Sequence, residues 1–181
     1  TPLTLAGGAA AALGYGLIAG RQEAQEFNRT LVLTGNQAGL TVGSLTAMAE
    51  RLDALGTTQG KASESLLAFV RAGRVGADSL ERFTKAAIDL EKVGGPAVEE
   101  TAKAFADLGK DPLQASLKLN EATGFLTASV YEQIKALVDQ GKTVEAAKVA
   151  QESYYLTVTT QAPLLAQQLG LVERAWNGIK A

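Results

Sequence analysis

The chain contains neither histidine nor cysteine. Without histidine no side chain titrates near neutrality in its unperturbed state, which excludes the usual general base and the Ser-His-Asp relay. Without cysteine there is no disulfide framework and no thiolate nucleophile, and with both missing the common zinc sites go too. Aromatic residues are scarce at 6%, with one tryptophan. No sign of charge dominates: 17 basic against 19 acidic side chains give a net charge of −2, so the surface has no general attraction for nucleic acid or anionic lipid. Strand-forming runs are nearly absent. Only Tyr154–Thr160 looks like one, and it is flanked by helical patterning on both sides. Charge is missing altogether from the first twenty residues.

What is present is the composition of a folded protein, 46% apolar and 20% charged over 181 residues, enough for one domain or slightly more. The chain opens on Thr1 rather than methionine, which reads as a window of a longer polypeptide. Leu3 to Gly20 is close to the minimum length for a membrane-crossing helix. Its alanines and its glycines at 7, 8, 14, 16 and 20 contribute little transfer energy, so it is marginal as a span. No basic segment precedes it in the manner of a signal peptide. Gly16 and Gly20 form a small-xxx-small pair that lets another helix approach closely, in lipid or in protein. Tyr15, Gly16 and Gly20 are therefore the candidate packing or membrane contacts.

The rest reads as helix. A first helix is expected from about Leu3 to Thr34, stopped by Gly35-Asn36. A second starts within Thr41–Ser44 and ends at Gly56, with Leu45, Met48, Ala49 and Leu52 on one face. A third covers Thr58 to Ala72, with Ala62, Leu66, Phe69 and Val70 inward. A fourth opens at Ala77-Asp78-Ser79, carries Leu80, Phe83, Ala87 and Leu90, and breaks at Gly94-Gly95. Pro96 is placed in the first turn of a fifth helix, lined by Val98, Ala102 and Phe105. Asp111 caps a short helix to about Asn120, and Thr127 or Ser129 caps another to Asp139, with Val130, Ile134, Leu137 and Val138 inward. A long last helix runs from Thr143 to Ile179, bent or broken at Pro163 and Gly170. The expectation is an all-α fold of helical hairpins or a bundle, in three parts: an apolar, small-residue helix over 1–40, a hairpin domain over 41–141 and a long helix over 142–181.

A faint repeat pairs Gly60–Gly73 with Pro96–Gly109 at a spacing of 36, matching Glu64 with Glu100, Ala68 with Ala104 and Phe69 with Phe105. Glu50–Leu55 and Glu132–Leu137 form a second echo. Convergence of similar hairpins and a true stack with a concave face both fit. Motifs that would carry chemistry fail on context. Gly56–Ala62 imitates a phosphate loop but is one residue short and has Ala62 where a hydroxyl should hold magnesium. Gly141-Lys142-Thr143 lacks the first glycine, and neither follows a strand. Asn28-Arg29-Thr30 is a formal glycosylation acceptor in mid-helix. The acidic pairs Glu99-Glu100 and Glu23/Glu26 fall on expected solvent faces. Lys85, Lys92, Lys103, Lys110 and Lys118 are scattered among acids, so no specific nucleic-acid binding is expected. No catalytic residue, metal or cofactor is expected. Tyr154, Tyr155 and Trp176 are candidate partner contacts, with core packing as the alternative for each.

An ordered set of blocks resembles the tape measure proteins of long-tailed, lambda-like bacteriophages and prophages. It begins with Gly14-Tyr15-Gly16 to Gly20, then Glu26-Phe27-Asn28-Arg29 and Leu31–Gly39. It continues with Asp111-Pro112, Leu119-Asn120, Phe125-Leu126-Thr127, Tyr131-Glu132-Gln133-Ile134 and Glu145-Ala146, and closes with Leu171 and Glu173-Arg174-Ala175-Trp176-Asn177. The resemblance implies a mechanical, non-enzymatic virion protein. It would lie in the tail lumen after assembly in the host cytoplasm, set tail length, and leave the tail to aid DNA ejection. Implied partners are the tail tube protein, tail assembly chaperones and tail tip proteins, with self-association and transient host-membrane contact open. Two readings compete with it: a cellular helical-repeat interaction module, and a carboxylate-based hydrolase working through Glu99, Glu100 or Glu132.

Overall fold

Thr41 shows how this sequence starts a helix. In a computed structural model of the chain its hydroxyl accepts from the Ser44 amide at 3.0 Å while the Ser44 hydroxyl accepts from the Thr41 amide at 3.0 Å. Two otherwise orphaned donors are satisfied reciprocally. The structure describes residues 6–36 and 38–179, with side chains over 20–36 and 38–170. Within these lie eight helices and no strand: α1 Ala6–Thr34, α2 Val42–Ala54, α3 Gln59–Ala72, α4 Ala77–Lys92, α5 Val98–Lys110, α6 Pro112–Thr123, α7 Ala128–Asp139 and α8 Thr143–Ile179. The chain is all-α, with a long helix at each end, as its composition and periodicity indicate.

The boundaries follow local chemistry. α1 stops because Gly35 and Asn36 both take positive φ, 66° and 45°, a conformation glycine and asparagine accept at low cost. The Asn36 amide then clamps the turn, donating to the Leu40 carbonyl and accepting from the Leu40 amide, both at 2.7 Å. Asp111 caps α6 by accepting from the Gln114 amide, with Pro112 in the first turn. Thr127, not Ser129, caps α7.

Three expectations are corrected. Pro96 is not in the first turn of α5, which starts at Val98 behind an Ala97 N-cap. α6 passes Asn120 to Thr123, because the Asn120 side chain accepts from the Leu126 amide at 2.8 Å and holds the following loop instead of ending the helix. α8 is not broken at Pro163 or Gly170 but runs as one helix. Proline removes one N–H and crowds the carbonyl four residues back, a loss placed here where Pro163 and Leu164 are exposed.

One core joins residues from Phe27 on α1 to Ala162 on α8, crossing both boundaries drawn at 40/41 and 141/142. α5 is its centre and touches α3, α4, α6 and α8. Phe105 stacks on Phe83 at 4.2 Å between ring centroids and meets Phe69 at 5.8 Å and Tyr154 at 5.0 Å; Tyr154 continues to Phe125 at 5.6 Å. Phe69 and Phe105, which the repeat matches, meet where α3 packs on α5. Their matched glycines differ in role. Gly73 closes α3 with φ 74°, whereas Gly109 lies inside α5. α1 packs only on α2 and α3 among the described helices.

Candidate functional site

Several ionisable side chains hold helices together. Arg51 pairs with Glu81 at 2.6 Å, Lys61 with Glu91 at 2.5 Å and Arg82 with Glu152 at 2.7 Å. Lys85–Asp89, Lys103–Asp107 and Lys135–Asp139 are one-turn pairs on single helices. Lys61, the lysine of the phosphate-loop imitation, is thus an ion-pair partner whose pKa is raised by the hydrogen bond to Glu91. Lys92 caps the same turn by donating to the Gly56 carbonyl at 2.7 Å. Gly141–Thr143 is a hairpin turn between α7 and α8. Glu99 and Glu100 are exposed in the first turn of α5, where carboxylates complement the helix dipole. Glu26 is exposed, but Glu23 is not a simple solvent-face residue. It is half-buried, and its carboxylate accepts from the Ser63 hydroxyl at 2.5 Å and from the Gln59 amide at 3.0 Å. Among the described residues no group of His, Cys, Asp and Glu is arranged to hold a metal ion.

Tyr154 is buried between Phe105 and Phe125, and burial pushes its phenol above the ordinary range. Of the two roles open to it in the sequence, core packing is the one its position supports. Tyr155 is half-buried and touches Phe83 at 5.4 Å. The Arg82 guanidinium lies 4.8 Å from the Phe83 centroid and 4.9 Å from that of Tyr155, with Glu152 as its anion. That hydrogen bond raises the Arg82 pKa, and the two rings add cation–π attraction. Arg82, Phe83 and Glu152 line a shallow cavity of about 490 Å³ between α4, α7 and α8. Gly20 is exposed, and a Cβ added there would meet nothing within 4 Å, so no described helix uses its small size. The side chains at Tyr15, Gly16 and Trp176 lie outside the described residues. No helix among the described residues is long and apolar enough to cross a membrane.

A second depression, about 640 Å³, forms where the ends of α1 and α3, the turn before α4 and the start of α8 meet. Its floor includes Leu40, Phe69, Val75 and Leu80, and Leu33 and Val144 stand at its mouth. Arg71, Arg74 and Lys148 line it, and no carboxylate among the described residues does. Arg74 has φ 61°, a backbone state that costs a residue with a Cβ about 1 kcal/mol. Its carbonyl accepts from Gln151 at 2.9 Å, and the same Gln151 amide donates to the Phe105 carbonyl at 2.8 Å. Buried Gln151 therefore ties the α3–α4 turn to α5. Gly109 makes room for this: a Cβ there would lie 2.6 Å from the Arg74 carbonyl oxygen and 2.9 Å from the Gln151 amide nitrogen. Sequence reasoning missed both the basic cluster and Gln151. The three cations come from separate segments, and a lone glutamine on a helix carries no signal. Gly109 had one clue, its place in the repeat.

Residues 1–135 match the family described as prophage tail length tape measure protein. The chain is 28% identical to a tape measure protein of Pseudomonas phage PAJU2 over 99% of its own length and 20% of the relative's. It is 27% identical to one from Escherichia phage N15 over 93% of the chain and 20% of the relative. For Escherichia phage lambda the values are 29%, 91% and 19%. The chain thus spans about a fifth of the length of the curated relatives it matches. No solved structure matches it at a significant level.

Proposed function

Because the chain belongs to the prophage tail length tape measure family, we propose that it is a structural, non-catalytic segment of a tail tape measure protein. It lies in the tail lumen, contributes to setting tail length during assembly, and leaves with the DNA at infection. The family match over residues 1–135 carries this reading. The architecture supports it. Among the described side chains the buried core reaches Ala162, with Leu165 packed against it, and α8 continues to Ile179. At 1.5 Å per residue its 37 residues measure about 55 Å. The tail tube, assembly chaperones and tail tip proteins are the partners this function requires. Trp176 on α8 is a proposed contact, as are Tyr15, Gly16 and Gly20 on α1. Self-association and transient membrane contact belong to the same proposal.

The test is an in-frame duplication of residues 41–141 in the full-length gene, with tail length read by electron microscopy. If the segment counts toward the ruler, tails lengthen by a discrete amount at unchanged tube diameter. Infectious particles with tails of unchanged length would remove length-setting from this segment. A cellular interaction module has no observation of its own in its favour.

A further inference from the structure

The depression between α1, α3 and α8 combines three features that the tape measure role does not require. Its floor is apolar. Its mouth carries exposed hydrophobics, with Leu33 and Val144 showing 74% and 66% of their surface to solvent. Its rim is basic. Among the described residues neither Arg74 nor Lys148 has an ion-pair partner within 4.0 Å, and Arg71 reaches Glu26 only at 3.8 Å. What sets the groove apart is that three cations from separate segments line one depression with no carboxylate among its described lining residues. Arg74 is kept in a left-handed backbone state that glycine would occupy more easily.

We infer that this groove is a docking site for an acidic amphipathic helical segment of a partner protein. Such a segment places one or two large aliphatic side chains beside Leu33 and Val144 and sets its flanking carboxylates against Arg71, Arg74 and Lys148. Charge complementarity selects this occupant. The apolar mouth supplies binding area, and the cations favour acidic over basic helices. Nucleic acid fits less well, because the groove's one aromatic ring, Phe69, is buried and offers no stacking face.

The test uses the 181-residue chain and a fluorescein-labelled designed helix of about 16 residues, leucine on one face and glutamate beside it, followed by anisotropy at low salt. The expected result is saturable binding. It weakens by about tenfold or more when the glutamates become lysine or the leucines become alanine. Lys148→Glu or Leu33→Ser weakens it comparably, whereas Lys118→Glu, the same charge change on exposed α6, does not. Circular dichroism melts matching the parent keep the variants interpretable, and Arg71→Gln replaces any that fails to fold. Four outcomes overturn the inference: no saturable binding, equal binding of acidic and basic helices, equal effects of Lys148→Glu and Lys118→Glu, or a DNA oligonucleotide that occupies the groove at lower concentration than the designed helix.

Discussion

Replacing Gly109 by alanine should destabilise this protein, although alanine is the better helix former. Gly109 lies within α5, where glycine-to-alanine exchange favours the helix by up to about 1 kcal/mol. Here the new methyl would fall 2.6 Å from the Arg74 carbonyl oxygen, 2.7 Å from its Cβ and 2.9 Å from the Gln151 amide nitrogen. Two of those three atoms belong to the rigid part of the α3–α4 turn, so relief requires moving that turn off α5. Overpacking of this kind costs about 1–3 kcal/mol. Displacing the turn also stretches the bonds from Gln151 to Arg74 and Phe105, worth about 1 kcal/mol each. The clash outweighs the propensity, and the net loss is about 2–4 kcal/mol, or a fall in Tm of roughly 5–12 °C. Gly60→Ala is the matched control. It lies in α3 with nothing within 4 Å of the added Cβ and should be neutral or slightly stabilising. Thermal and urea unfolding by circular dichroism measure both. If Gly109→Ala melts at or above the parent temperature, the close approach of the turn to α5 is not as described.

Phe105→Ala removes the ring at the centre of α5, which contacts three other aromatic rings; a loss of about 3–5 kcal/mol in urea unfolding is expected. Asp111→Ala removes the acceptor for the Gln114 amide and should cost about 1 kcal/mol, while Asp111→Asn retains most of it. Because burial raises the Tyr154 pKa above its unfolded value near 10, the folded state holds the phenolic proton longer. The stability linked to it is complete below pH 10 and declines as pH rises further. Tyr154→Phe should flatten the alkaline limb of the stability–pH curve while changing little at pH 7, and a parallel decline in the variant would contradict this.

Most of the fold is readable from the sequence because its signals are local. Thr41, Thr58, Asp111 and Thr127 cap helices by bonding to amides three residues on, and Gly35-Asn36 ends α1 through positive φ and the Asn36 side-chain bonds to Leu40. Where the signal was ambiguous, a side chain decided. Asn120 could end a helix or hold a loop, and it does the latter. The features that resisted sequence reasoning depend on residues far apart in the chain. Gln151 bonds to carbonyls 77 and 46 residues away, and Arg71, Arg74 and Lys148 share a groove only because the start of α8 is brought beside the α3–α4 turn. Glu23 looked solvent-facing because its partners, Gln59 and Ser63, arrive from another helix. The proposed contacts Tyr15, Gly16 and Trp176 remain readings of the sequence, and Tyr154 was legible as an aromatic in a helix but equally compatible with core or surface.

The claim that this chain works inside the tail is tested most directly on purified virions. Intact tails are treated with trypsin, then triggered to eject DNA, and the chain is quantified by mass spectrometry before and after. A tail-lumen segment is protected in intact tails and depleted from spent ones. Digestion in intact tails, or full retention after ejection, would contradict the account.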